Sequence, residues 1–147
     1  MKNNISQPRQ KRSRGYVLIE TGLVFITFVF MLMGIFDFAQ YLFVHQALVD
    51  RARSAARWGA VTDPTNTSAI QNMVLYDQAT APAGGGAGIF GLTPSMVSVT
   101  NQNPTTADRL LVVAITNYQY TMISPLIGGA HSGPSITISI PLGLPTS

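Results

Sequence analysis

The sequence contains no cysteine among its 147 residues. This absence excludes a disulfide framework, thiolate metal ligands and a cysteine nucleophile. Charge is also scarce, because only 10% of the residues are Asp, Glu, Lys or Arg, whereas soluble domains carry about 25%. The length is enough for one modest domain. With a mean hydropathy of +0.25, the chain differs from an average cytosolic protein.

Acidic residues are absent from the first fifteen positions, which hold five of the nine basic residues. This segment therefore carries a charge of +5, whereas the remaining 132 residues, with four bases and six acids, carry −2. The pI of 9.6 thus comes from one short tail, which we expect to be disordered. Because the rest of the chain is not basic, we predict no nucleic-acid partner.

Arrangements of catalytic or metal-binding residues are lacking as well. The chain has two histidines: His45, expected on a helix surface, and His131, expected in a Gly- and Ser-rich loop. Neither has the spacing of a catalytic triad or a metal site. The glycines of residues 81–88 lack the lysine of a phosphate-binding loop. We therefore predict a protein that is not an enzyme, with no catalytic residues, no metal and no cofactor.

A long apolar run, Tyr16 to Phe36, follows the basic tail. Twenty-one helical residues span about 32 Å, close to the roughly 30 Å of a bilayer's hydrocarbon core. The run is apolar on all sides, unlike a water-soluble amphipathic helix, so it predicts a transmembrane helix. A cleavable signal peptide is the alternative, but its apolar region is shorter and ends in a small-residue site that is lacking here. The positive-inside rule places the amino terminus in the cytoplasm.

One acidic residue, Glu20, lies within this run. A carboxylate in a membrane is costly and usually has a partner or a function, although a position near the headgroups would also accommodate it. A basic run, then Gly15, then an apolar helix with Glu at the fifth position resembles the processing pattern of type IV prepilins. The resemblance implies a prepilin peptidase that cleaves between Gly15 and Tyr16. The Glu20 carboxylate would then pair with the amino terminus of a neighbouring subunit and set the axial register.

Residues 37–62 are predicted to continue the helix outside the membrane, to about Ala60, because no proline interrupts them. Small residues recur at intervals of three and four and predict a stripe for close packing; the stripe is Leu48, Ala52, Ala55, Ala56 and Gly59. Arg53 and Arg57 repeat along one edge. They are either a solvated face or a contact edge for another subunit, and the sequence leaves both interpretations open.

Residues 63–147 are predicted to form a small domain outside the membrane. A turn at 63–68 precedes a short helix at 68–76, and strands are predicted at 96–100, 110–122 and 136–142. The middle strand changes its apolar parity, which indicates a bulge or bend near Asn117. Tyr118 and Tyr120 then belong to a packed sheet face. The predicted fold class is α+β and pilin-like: a long N-terminal helix, its first half transmembrane, packs on a small antiparallel sheet.

Together these motifs resemble the TadE-like minor pseudopilins of the bacterial Tad (tight adherence, type IVb-like) pilus. The matching positions fall in three blocks: Arg14, Gly15 and Glu20; Gly34, Ile35 and Asp37; and Ala52, Arg53, Ala55, Ala56 and Arg57. Members of this family often carry Phe after the glutamate and Pro within the span. This chain has Thr21 at the first position and no proline in the span, so a kinked helix is not expected.

The resemblance implies a minor pilin that is cleaved after Gly15 and acts in assembly of a Tad-type pilus, for adhesion and surface colonisation. Residues 1–15 would be a cytoplasmic leader, and the chain would cross the bacterial cytoplasmic membrane once, with its C-terminal domain periplasmic or extracellular. The implied partners are the prepilin peptidase, other pilins, the inner-membrane assembly platform and the lipid bilayer. The alternatives are an uncleaved, membrane-anchored periplasmic binding module and, less favoured, an anchored enzyme.

Overall fold

The computed structural model describes residues 13–103, 108–122, 124 and 128–143. Its first element, α1 (Ser13–Thr62), is one helix of 50 residues, about 75 Å long. The prediction of a continuous helix is confirmed, and the helix ends two residues later than expected. Pro64 follows this end, and proline disfavours helical backbone in the residue before it. Residues 1–12 of the predicted leader lie outside the described residues.

A tight turn separates α1 from a second helix, α2 (Thr67–Tyr76). The Asp63 carboxylate accepts hydrogen bonds from the backbone N–H and the hydroxyl of Thr65, at 2.9 and 2.6 Å. These bonds, the hydroxyl bond above all, lower the pKa of Asp63. Asn66 caps α2 by accepting the N–H of Ala69, and Asp77 ends it in the left-handed conformation at φ 60°. The predicted short helix is thus confirmed, starting one residue earlier.

Five strands follow two short 3₁₀ turns at Ile89–Gly91 and Pro94–Met96. They are β1 (Val97–Gln102), β2 (Leu110–Ile115), β3 (Gln119–Met122), β4 (Gly129–Ser132) and β5 (Ile136–Pro141). The first sheet is antiparallel in the order β1-β2-β5, with Val113 opposite both Val99 and Ile138. This is the predicted small antiparallel sheet.

A second sheet, β3-β4, departs from the prediction. We predicted a single strand over 110–122 with a bulge or bend near Asn117, but the chain leaves the first sheet there and starts a separate hairpin. Asn117 adopts φ 57°, a left-handed conformation that Asn tolerates better than most residues. The bend is therefore confirmed, and the continuity of the strand was wrong. In the hairpin Tyr120 lies opposite His131.

The core lies between the second half of α1, helix α2 and the first sheet. All five residues of the predicted small-residue stripe are buried in it. Alternate residues of β2 complete the core from the other side; they are Leu111, Val113 and Ile115, each fully buried. Helix α2 contributes Ile70 and Val74. The α+β arrangement of a long helix on small antiparallel sheets is thus confirmed.

Candidate functional site

The predicted cleavage site lies in the first turns of α1. Gly15, Tyr16 and Glu20 are all helical and exposed. Tyr16 and Glu20 are four residues apart and so share one helix face, along which a groove of about 390 Å³ is lined by Tyr16, Ile19, Glu20, Leu23 and Val24. Cleavage before Tyr16 would therefore create an amino group about 6 Å along the axis from Glu20.

Among the described residues, no close contact requires a glycine at position 15. A Cβ built on it meets no atom within 4 Å, and its φ does not lie in the left-handed region. Glycine inside a helix is less favourable than alanine by about 1 kcal/mol. Within the described residues, packing therefore gives no reason for a glycine at this position.

Glu20 has no counter-charge within the described part of the chain. Among those residues none forms an ion pair or a hydrogen bond with its carboxylate. In the same run, the Thr27 hydroxyl is satisfied within the helix, since it donates to the Leu23 carbonyl at 2.9 Å. Glu20 is the one acidic residue of the run, and the described part of the chain supplies no partner for its carboxylate.

The apolar run around Glu20 is long enough to cross a membrane and is not covered by the protein. Within the described residues one helix meets the length and composition of a span, and none of its most apolar window is buried. Side chains such as Leu18 and Ile19 are 73% and 72% exposed. A helix in the core of a soluble protein would be buried instead, so the run has the length, composition and exposure of a membrane-spanning segment.

Beyond this run, α1 is held against the C-terminal region by its small residues. A Cβ on Gly59 would lie 2.5 Å from Cδ1 of Ile70 and 3.3 Å from Cδ2 of Leu111. Ala52 and Ala56 are fully buried. These residues let the backbone of α1 approach α2 and β2 closely, so the predicted stripe serves packing within the chain.

The two arginines of the predicted contact edge, Arg53 and Arg57, are exposed. Arg53 makes a 3.4 Å ion pair with Asp50 on its own helix, which is worth little at such exposure. Arg51, for which no role was predicted, forms an ion pair between two elements of the fold. It is 23% exposed and pairs with Asp77 at the end of α2.

Asp37 is a second residue whose contact within the fold was not predicted from the sequence. It is 5% exposed, and both of its carboxylate oxygens accept the backbone N–H of Ser124, at 3.2 Å. This contact ties the end of β3 to α1 at the membrane boundary. The signal was present in the sequence, because Asp37 lies seven residues before Val44 and thus on the buried face of α1.

His45 corrects one prediction, since it belongs to an interface and is not simply a surface residue. Its Nδ1 lies 2.8 Å from the hydroxyl of Tyr118 in a hydrogen bond. Tyr118 is 1% exposed, and burial, followed by the nearby Tyr41 and Tyr120, raises its pKa to about 12. Tyr118 is buried as predicted, but it lies in the connection before β3 and not on a sheet face. Its partner is 73 residues away and has no local signal in the sequence.

His131 corrects a second prediction, because it lies in strand β4 and not in a loop. Its ring centroid is 6.0 Å from that of Tyr120, which in turn is 5.0 Å from that of Tyr41 on α1. The β3-β4 hairpin is therefore attached to the helix through aromatic rings. Across the described ranges, no group of three or more His, Asp or Glu residues could hold a metal ion.

Comparison with protein families gives one match, to the family described as TadE-like protein, over residues 15–57. The match covers the predicted cleavage site, the apolar run and the small-residue stripe as far as Ala56, whereas Gly59 lies beyond it. No curated protein and no solved structure shows a significant match to the chain. Residues 15–57 are thus similar to a family of pilin-like proteins of the Tad pilus system, which is a structural and not a catalytic class. The family resemblance predicted from the motifs is thus confirmed over residues 15–57, which make up less than a third of the chain.

Proposed function

We propose that this chain is a minor pilin of a Tad-type pilus that a prepilin peptidase cleaves between Gly15 and Tyr16. Residues 1–15 are then a cytoplasmic leader, residues 16–36 span the inner membrane, residues 37–62 extend the helix, and residues 63–147 form the domain beyond it. The five basic residues before the span and the absence of acids there support this orientation.

The proposal rests on a pair of residues that the fold does not use. Gly15 costs helix stability without a packing reason, and Glu20 lacks a described partner. They stand at the spacing of a prepilin processing site, directly after the basic tail and inside or at the edge of the matched segment. A peptidase that must approach the backbone closely would explain the glycine. An amino group of a second subunit would supply the counter-charge for the Glu20 carboxylate.

Glu20 sets the register of this chain against its neighbour in the assembled pilus. Removal of the leader takes away the +5 charge and exposes an amino group at Tyr16. A carboxylate and an ammonium group that are both buried among apolar helices are stabilised only when paired, so a subunit displaced along the axis leaves two unpaired charges. The exposed Arg53 and Arg57 form a contact edge for other pilus subunits, whereas Arg51 is occupied by Asp77.

Intact mass and N-terminal sequencing test the cleavage directly. The protein is extracted from membranes of cells with and without a co-expressed prepilin peptidase. We expect a peptidase-dependent chain that begins at Tyr16, and we expect Gly15→Glu to abolish it. Ser13→Glu is the matched control, because it introduces the same charge two residues earlier and leaves the cleaved bond intact. A parent chain that keeps Met1 beside an active peptidase would refute the proposal and leave the uncleaved binding module.

Recovery of the chain in the sheared pilus fraction tests the role of Glu20. Glu20→Gln keeps the shape of the side chain and removes its charge, so we expect normal processing but loss from the pilus fraction. Thr27→Val is the control, since the Thr27 hydroxyl is satisfied within its own helix and its loss leaves no unpaired charge. Incorporation of the Glu20→Gln chain at the parent level would show that the carboxylate does not set the register.

A further inference from the structure

A cavity of about 310 Å³ opens where α1 leaves its apolar run. The helix and strand β3 line it with mainly apolar side chains, including Phe30, Gly34, Phe38, Tyr41, Tyr120 and Met122. A Cβ on Gly34 would meet nothing within 4 Å, so this side of the helix is open. Asp37 and Ser124 also border the cavity, but they bond to each other. The surface offered to an occupant is therefore apolar.

The position of this cavity along α1 indicates what fills it. If the hydrocarbon core begins at Tyr16, Phe30 lies about 21 Å and Gly34 about 27 Å along the helix, inside the roughly 30 Å core. Phe38 lies about 33 Å and Tyr41 about 38 Å along, at the level of the headgroups. The lower end of the cavity therefore opens into hydrocarbon, and its upper end lies at the membrane surface.

Aromatic residues at this height surround the helix on more than one side. Tyr41 and Phe43 are two positions apart and thus point in nearly opposite directions. Tyr41 meets Tyr120 of the hairpin, with centroids 5.0 Å apart, and Phe43 meets Phe90 edge-on at 6.0 Å. Two separate parts of the C-terminal region thus bring aromatic rings to the same level. Tyr and Trp are enriched at membrane interfaces, and the apolar Phe rings beside Tyr41 and Tyr120 gain from contact with lipid.

We propose that the C-terminal region rests on the membrane surface through this aromatic ring, here called the membrane seat: Phe38, Tyr41, Phe43, Phe90 and Tyr120. The acyl chain of a bilayer lipid fills the cavity beside Met122. A second copy of the helix would cover one side of α1, whereas a bilayer surface meets every side at one height. The exposed Phe38, Phe43 and Phe90, at 62%, 66% and 39%, are then covered by lipid.

The Asp37–Ser124 contact positions the seat. It holds the end of β3 down against α1, which brings Met122 to the level of Phe38. The proposal depends on the membrane anchor but not on cleavage or pilus assembly, so its failure is separable from that of the proposed function.

Single-cysteine spin labels in lipid nanodiscs, with one protein per disc, test the seat. The chain has no cysteine of its own, so Met122→Cys carries the label in the cavity. Thr100→Cys is the control, because Thr100 is exposed on β1 next to Asn101, whose side chain donates to Pro64 beyond the far end of α1. We expect the ratio of oxygen to nickel-chelate accessibility to be at least about tenfold higher at position 122 than at 100, because hydrocarbon excludes polar solutes.

A conservative variant provides an independent measurement if the label disturbs the cavity. Phe90→Trp keeps an aromatic ring in the seat, and Trp58, the one native tryptophan, serves as the reference far from the membrane. Lipids brominated near the headgroup should quench the Phe90→Trp variant but not the parent. Equal nickel accessibility at positions 122 and 100, or equal quenching of parent and variant, would overturn the proposal. A third outcome would also overturn the proposal: the label at position 122 is accessible to nickel in single-copy discs but shows spin–spin broadening in discs with several copies. The cavity would then be filled by a second copy of the helix and not by lipid.

Discussion

Replacement of Gly133 by alanine should displace the Tyr118 ring from its contact with α1 and destabilise the fold. A Cβ at this position would lie 2.0 Å from Cζ and 2.3 Å from Oη of Tyr118, where ordinary contact begins at 3.4 Å. The backbone cannot separate freely, because the Gly133 N–H donates to the Tyr118 carbonyl at 2.9 Å. The buried ring must therefore move by more than 1 Å, away from its 2.8 Å hydrogen bond with His45.

The expected cost combines two effects. Overpacking of a full core costs about 1–3 kcal/mol, and the lost hydrogen bond about 0.5–1.5 kcal/mol. We therefore expect Gly133→Ala to lower the free energy of unfolding by roughly 2–4 kcal/mol. The loss is measured by urea unfolding in detergent micelles. Unfolding is monitored by the fluorescence of Trp58, which packs against the core.

Two controls show whether Tyr118 is the cause. Gly143→Ala makes the same change where a Cβ meets nothing within 4 Å, so it should leave the unfolding midpoint unchanged. In a Tyr118→Ala background the new Cβ has no ring to clash with. Gly133→Ala should then lower the free energy of unfolding by less than about 0.5 kcal/mol. A loss of full size in that background, or no loss in the parent, would refute the reasoning.

Three further predictions follow from the core and its polar contacts. The free energy of unfolding should fall by an amount on the order of 3 kcal/mol between pH 10 and 12, because unfolded Tyr118 loses its proton near its ordinary pKa of 10.0 and folded Tyr118 only near 12. Tyr118→Phe should remove this part of the pH dependence in urea titrations; an unchanged slope would contradict the assignment. Leu48→Ala, at a fully buried position, should cost about 2–5 kcal/mol, whereas Val61→Ala, at 88% exposure, should cost almost nothing. Asp37→Asn should weaken the hold on the Ser124 N–H and cost about 1–3 kcal/mol, with faster amide exchange at Ser124 as its signature; exchange at the parent rate would refute the contact.

Local pattern and composition determined the long helix of this protein. Apolar residues on every side of positions 16–36 require an apolar environment that the rest of the described chain does not supply. Helix formers without proline carry the same helix to its end before Pro64. The same local information identified the TadE-like segment and the small-residue stripe, since spacing along a helix fixes which side chains share a face. In β5, Ile136, Ile138 and Ile140 alternate with the exposed Thr137 and Ser139, so the inward face can be read from the sequence.

Contacts between distant segments were decided by the tertiary structure alone. His45 looked like a surface residue because nothing near it in the chain signals Tyr118, and Asp37 looked like a flanking acid because its partner is 87 residues away. The left-handed Asn117 separates β3 from β2 and sends it to a second sheet, a choice between two allowed pairings that strand propensity does not distinguish. Sequence periodicity assigns a residue to a face of its own element, but the partner of that face depends on how the elements pack in three dimensions.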